Sequence, residues 1–487
     1  MSARSLEDFR REHDPTYRIE NPSTIFSRDL KKNCKVFIIT AAQNATPVNP
    51  DWWAILQKIA EHRKAEILVV PIRYKNPTSH WSGSQQNAEH WDALVRPYLW
   101  NVRLPLNKNI AVLADIKVQP TAASPLTGAD AVTSDMSAVL GHTKVQMKSI
   151  PVPSSIMAKL TATTGACTEP NYTDSRAGKL GEFHHSYSAV VVELDGERFN
   201  LRHLHYSTEK KRCIDLNVMY TAKSVWWAPP AEALVMGDTH VDYIDPKVAE
   251  ATFGKAGIIA QCDPKHLVWH DLLDGYSINP HHGNNPFNRV AKRRASRDNV
   301  LEEIKRAVHF VVKHSKARKS VIVPSNHNDF LLRWILGADW KLDPVNAECY
   351  LTTALDMVQA TQMSSKGTEF PDPFGLWFRR LAGDNAAKIL SRDESFKLAG
   401  VELGMHGDRG PNGARGSIMN HRRLGVKTII GHSHTPGIEE GCYQVGTSTH
   451  LRLEYNSGAS GWLNTHCLLN ADGKRQLIHI IEGKYRT

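Results

Sequence analysis

Five short runs in the second half of the chain end in residues able to ligate a cation: ALVMGDTH, HLVWHDLLDG, SVIVPSNHNDF, VELGMHGDRG and KTIIGHSHTP. Four are clear apolar strand patterns, and VELGMHGD is a weaker version. A short apolar run bounded by polar residues reads as a buried strand. Polar residues at its C-terminal end then point into a cleft outside the sheet. Helical stretches lie between the runs. Leu301, Ile304, Val308 and Val311 make one apolar stripe, with Ser296 or Asp298 as the expected cap. The tail WLNTHCLLN-ADG-KRQLIHII reads as a hairpin turning at Asp472-Gly473. This half is expected to be α/β, closing in antiparallel strands.

The first half is less regular. Residues 1–30 are polar and charged and read as an arm. KVFIIT and EILVVPI flank a stretch with Trp52, Ile55, Leu56 and Ile59 on one helical face, a parallel strand–helix–strand unit. NIAVLADI reads as a further strand, and Asp195-Gly196 marks a hairpin. Residues 117–180, rich in Thr, Ser, Ala, Gly and Pro, yield only loops and short elements. WWAPP, from Trp226 to Pro230, is read as a boundary. The expected organisation is an arm over 1–30, an N-terminal α/β domain over 31–225 and a second domain over 226–487. A chain of 487 residues suits two domains.

Composition narrows the classes. No stretch reaches the roughly 18 consecutive apolar residues of a membrane span, and the charged N-terminus lacks a signal-peptide core. The seven cysteines are scattered without CxxC spacing, which fits reduced thiols and a cytoplasmic setting. A net charge of +10 suits an anionic partner, nucleic acid above all.

The ligand types are specific. Asp238 and Asp271 offer carboxylates, Asn326 an amide oxygen, and His240, His406, His432 and His434 imidazoles. Mixed oxygen and nitrogen donors without thiolate suit Mn²⁺, Fe²⁺, Zn²⁺ or Co²⁺ better than Mg²⁺ or Ca²⁺. Asp-x-His and His-x-His at strand ends converge because the intervening residue points away. Seven ligands with one shared carboxylate satisfy two ions once waters complete the shells.

In this order GDTH, the Asp271 segment, SNHND, MHGD and GHSHTP resemble the five motifs of the calcineurin-like metallophosphoesterase superfamily, over roughly residues 231–487. The resemblance implies a β-sandwich flanked by helices holding two divalent ions, Mn²⁺ first, with Mg²⁺, Zn²⁺, Fe²⁺ or Co²⁺ as alternatives. One ion would take Asp238, His240 and His434, and the other Asn326, His406 and His432. Asp271 would bridge them. His327 would be the catalytic histidine outside the metal shells. A hydroxide bridging the ions would attack phosphorus, and His327 would protonate the leaving oxygen. Two positions depart from the family pattern: His270 stands before Asp271, and Ser325 opens the third motif, where the family usually has glycine.

Asp408 is the expected partner orienting a ligand histidine. Arg409, Arg415 and His282, with His281 beside it, are candidate substrate contacts. The basic run Lys292, Arg293, Arg294 and Arg297 offers backbone-phosphate contacts or a solvated helix start. His203 and His205 have metal-like spacing but lie outside the motif region. The pairs Trp52-Trp53 and Trp226-Trp227 read as packing.

The basic charge, the Asp271-Leu-Leu-Asp274 segment and the additional N-terminal region tilt the expected substrate to DNA. The second motif resembles the double-strand-break repair nucleases of the superfamily, and some phage-encoded early DNases share such a site, which would place the protein in host cytoplasm. A homo-oligomer through the N-terminal region is a further expectation. The alternatives are a small-molecule phosphodiesterase or phosphatase, and a nucleic-acid-binding scaffold with an inert site.

Overall fold

The computed structural model of the chain describes residues 24–74, 90–153, 156–157, 159–279, 282, 285–363, 371–453 and 456–487. Residues 1–23 of the expected arm and His281 lie outside the described residues. Three mixed sheets and flanking helices build an α/β protein. No helix among the described residues is long and apolar enough to cross a membrane.

The six-stranded sheet positions the site. Its order is Lys388–Ile389, Lys319–Ile322, His266–Trp269, Ala233–Val235, Thr465–Leu469 and Arg475–His479. Ala233–Val235, His266–Trp269 and Lys319–Ile322 are parallel and in step, with Val235 opposite Val268 and Val268 opposite Val321. Their C-terminal ends therefore stop at one level. Thr465–Leu469 and Arg475–His479 form the expected hairpin, with Gly473 at φ 73° in its turn. One face of the sheet is covered by the helices Val300–His314 and Pro373–Ala382, through Ile304, Val308, Val311, Phe374 and Phe378. Asn299, rather than Ser296 or Asp298, caps the first of these helices by accepting from the Glu302 amide.

A ten-stranded sheet covers the other face. It runs from Lys397–Leu398 through Val401–Glu402, Thr428–Ile430, Cys442–Gln444 and Gly437–Glu439 into Gln146–Ile150, Lys159–Thr163, Ser137–Leu140, Ile110–Leu113 and Arg103–Asn107. The seam is the antiparallel pairing of Gly437–Glu439 with Gln146–Ile150. The expected junction near 225 therefore does not separate the sheets: strands from both sides of it share one ladder. The segment 117–180, unreadable as strands in sequence, supplies three of them.

The seven-stranded sheet contains the expected parallel pair Val36–Gln43 and Glu66–Ile72, and the hairpin Ser188–Asp195 and Arg198–Ser207. The helix Pro50–Arg63 buries Trp52 and Trp53 on one face of this sheet. Trp226 and Trp227, read in sequence as packing, are instead 62% and 78% exposed on the edge strand Val225–Trp227. One apolar core joins the three sheets through residues such as Ile39, Val139, Met147, Val235, Ile429 and Cys467.

A buried ion cluster ties this region to the chain's C-terminal end. Arg202 donates to Asp215 at 2.9 and 3.0 Å and to Glu193 at 2.7 and 3.1 Å. Arg63 contacts both carboxylates as well, and the Thr487 amide donates to Glu193. Burial opposes ionisation of Asp215, but Arg202 outweighs it and holds the carboxyl at about 2. Its stabilisation is complete above its ordinary value of 3.8 and is lost as pH falls towards about 2. Arg202→Met should leave two buried carboxylates to share Arg63 alone and destabilise the fold by about 3 kcal/mol at neutral pH. Denaturant unfolding across pH checks this: the gap between wild type and variant should shrink as pH drops below about 4.

Candidate metal centre

Five loops leave the C-terminal ends of strands and meet at the cleft between the six- and ten-stranded sheets. Asp238 and His240 follow Ala233–Val235, Asp271 follows His266–Trp269, and Asn326 and His327 follow Lys319–Ile322. His406 follows Val401–Glu402, and His432 and His434 follow Thr428–Ile430. Backbone bonds continue past the strands and fix the loops. The Thr239 amide donates to the His270 carbonyl at 2.9 Å and the His240 amide to the Asp271 carbonyl at 2.6 Å. The Gly431 amide donates to the His406 carbonyl at 2.7 Å.

The expected ligands come together. Asp238 and Asp271 are 0% and 1% exposed, and among the described residues none of their four carboxylate oxygens meets a well-aligned hydrogen-bond donor. Imidazole nitrogens ring them instead. His434 Nε2 lies 3.2 Å from Asp238 Oδ2, His406 Nε2 3.1 Å from Asp271 Oδ2, and His240 Nε2 3.6 Å from Asp271 Oδ2. His240 and His434 turn their Nε2 atoms to within 3.1 Å of each other, and His432 Nδ1 is 3.0 Å from Asn326 Oδ1. Burying an ionised carboxylate without compensation costs several kcal/mol. Carboxylates without well-aligned donors, faced by imidazole nitrogens, fit a cation between them. Among the described residues, three groupings hold ligand atoms within 4.8 Å of one another: Asp238 with Asp271 and His434, His240 with Asp271 and His327, and Asp238 with His270 and His406. Burial, resisted by His406 and reinforced by the neighbouring Asp271, pushes the Asp238 carboxyl up to about 7. That is the electrostatic strain a cation would relieve.

The backbone is strained at the same residues. His240, Asp271, His432 and His434 have φ of 38°, 43°, 78° and 59°. Non-glycine residues in this region each cost about 1–3 kcal/mol, and such strain collects at functional sites. Gly431 explains the glycine of GHSH: a Cβ there would stand 2.3 Å from Asp238 Oδ1.

Several supporting residues differ from those expected. Asp408, expected to orient a ligand histidine, instead binds Arg392, whose Nη1 reaches both its oxygens at 2.9 Å. Arg392 also bonds Asp329 at 2.5 Å. The orienting carboxylate is Asp274: its Oδ1 lies 3.4 Å from His240 Nδ1, and its carbonyl accepts from His327 Nδ1 at 2.7 Å. The signal was present in sequence as the second acid of Asp271-Leu-Leu-Asp274. His270 is fully buried with Nδ1 3.2 Å from His406 Nδ1, so the residue replacing the usual glycine braces a ligand. Ser325 accepts from the Asn328 amide at 3.2 Å and closes the turn that presents Asn326 and His327.

The substrate candidates are scattered. Arg409 is exposed and, with Arg392, lines a cavity of about 400 Å³ that reaches His406. Arg415 is exposed on the same loop, bridged to Arg409. His282 lines a separate cavity with Arg289 and Lys292. Lys292 and Arg297 lie over the rings of Tyr276 and Tyr243 rather than at a helix start. His203 and His205 are stacked in the core, His203 against the Thr163 carbonyl and His205 against Ser188 and Tyr443. The seven cysteines are unpaired.

The chain is 31% identical to Protein A1 of Escherichia phage T5 over 476 residues, which is 95% of this chain and 84% of that protein. No family model matches it.

Mn²⁺ should raise the melting temperature of the wild-type protein, and Asp271→Asn should abolish that rise. Asp274→Asn should weaken Mn²⁺ about 10–100-fold while leaving binding measurable, because it acts through the His240 ring. Metal-dependent melting shifts and metal analysis read both.

Proposed function

This chain belongs to the family of Protein A1 of Escherichia phage T5, and we propose that it is a metal-dependent phosphoesterase of the calcineurin-like type that hydrolyses phosphodiester bonds in DNA. The observation carrying this reading is the pair of buried carboxylates ringed by imidazoles where five strand ends meet, with His327 at their side. Asp238, His240 and His434 would hold one divalent ion and Asn326, His406 and His432 a second, with Asp271 shared. Such ions, Mn²⁺ first, supply Lewis-acid activation of water and of the phosphoryl oxygens.

The chain's own groups account for the rest. His327 sits 4.6 Å, ring to ring, from His240, and its Nδ1–H donates a hydrogen bond to the Asp274 carbonyl. A carbonyl only accepts, so the neutral ring carries its proton on Nδ1 and leaves Nε2 for the substrate. Once protonated there, Nε2 is the donor to the leaving alkoxide. Phe330, 4.7 Å from the His327 ring, limits its rotation.

DNA is favoured by charge. The net charge is +10, and Arg392 and Arg409, set among the carboxylates of Asp393, Glu394, Glu402 and Asp408, are the cations of the cavity reaching His406. Asp329 and Asp408 hold Arg392 in place, and Arg409 extends outward where a phosphate backbone would pass.

Purified protein with Mn²⁺ should cleave plasmid, linear duplex or single-stranded DNA. Hydrolysis of a chromogenic phosphodiester without any DNA cleavage would reassign the substrate to a small molecule, and no hydrolysis with any metal would leave an inert scaffold. His327→Ala should retain Mn²⁺ binding but lose roughly 10²–10⁴ in turnover. DNA affinity of the wild type should fall steeply between 50 and 200 mM salt, roughly tenfold or more if several phosphates are contacted. Arg409→Ala should flatten that slope.

A further inference from the structure

A second charged cavity lies outside the carboxylate–histidine cluster and shares no residue with it. Its volume is about 400 Å³, and it opens at the seam where the two halves of the chain share the ten-stranded sheet. Five cationic side chains line it: Lys144, Arg422, Lys427, Lys474 and Arg475. They come from distant parts of the sequence, so only the fold assembles them.

One carboxylate among the lining residues, Glu440, is already shared. Lys144 reaches it at 3.1 Å, Arg422 at 3.6 Å and His184 at 4.0 Å. Among the described residues, Lys427, Lys474 and Arg475 have no carboxylate within ion-pair distance. Arg475 is 8% exposed, donates to the carbonyls of Thr428 and Gly441, and lies 4.0 Å over the Tyr443 ring. Burial, then the nearby Lys427, pull the Lys474 amine below its ordinary value. Like charges gathered in a partly desolvated cavity repel one another, and an anion converts that repulsion into binding.

The lining is not only basic. Tyr443, Val145 and Ile438 contribute ring and aliphatic surface, and Phe183 stands 80% exposed at the cavity with His184 against it. A small inorganic anion would use the charges alone. The volume lies within the range of small-molecule sites, and an exposed aromatic ring beside lysines suits a stacked base with an attached phosphate. We propose that this cavity binds a nucleoside phosphate, with Lys427 and Lys474 on the phosphate and Phe183 against the base. The proposal stands apart from the catalytic reading, since it uses none of the same residues.

Calorimetric titration of the full chain in EDTA tests it, because without a divalent ion the carboxylate-rich cleft has nothing to draw phosphate. Adenosine monophosphate should bind saturably and at least about tenfold more tightly than inorganic phosphate. Lys427→Gln and Lys474→Gln should each weaken it by about tenfold, the usual effect of losing a charged hydrogen bond. Phe183→Ala should weaken the nucleotide but not inorganic phosphate, and Lys58→Gln on the exposed face of the Pro50–Arg63 helix should change nothing. Unchanged melting temperatures confirm that the variants fold. Absence of saturable binding, equal affinity for phosphate and nucleotide, binding indifferent to both lysine changes, or binding only of a single-stranded oligonucleotide would each overturn the proposal.

Discussion

Two carboxylates buried side by side are tolerable only if positive charge comes between or beside them, and most of the second half of this chain is arranged around that constraint. Asp238 and Asp271 meet because their parent strands are parallel neighbours ending at one level. The groups facing them are imidazoles, whose ring nitrogens can give up a proton and ligate a cation instead of donating to the oxygens. Left-handed backbone at His240, Asp271, His432 and His434 shows that the loops accept strain to present these groups. The stabilisation that offsets it comes from the large shared core and the bonds that continue the ladder past the strand ends.

Support for the ligands is distributed unevenly. Asp274 steadies His240 through its carboxylate and His327 through its carbonyl, so one residue orients a ligand and the candidate catalytic histidine together. His270 braces His406 from behind. Asp408 serves a different purpose, fixing Arg392 beside the cleft. The histidine–carboxylate cluster and the arginines beside it are thus separately supported.

The ten-stranded sheet gives the first half of the chain a structural reason to exist. Its strands from 103–163 continue the ladder that carries His406, His432 and His434. The buried Arg202 cluster locks this half to the end of the chain through Thr487. The cationic cavity sits on the seam where the two halves pair.

By itself, the sequence singled out the residues that the fold brings together at the cleft. Asp238, His240, Asp271, Asn326, His327, His406, His432 and His434 were legible because apolar runs ending in ligand types have a local signature. The parallel pair around Trp52, the hairpin at Asp195-Gly196 and the closing hairpin at Gly473 were legible for the same reason. Tertiary structure alone decided what depends on meeting partners far along the chain. The strands in 117–180 lack a local pattern because they are buried by pairing with segments up to hundreds of residues away. Asp274 and Asp408 look equivalent in sequence, each an acid near a ligand, and only the packing shows that one faces a histidine and the other an arginine. Trp226 and Trp227 resemble core residues by composition, yet they lie exposed on an edge strand that no layer among the described residues covers.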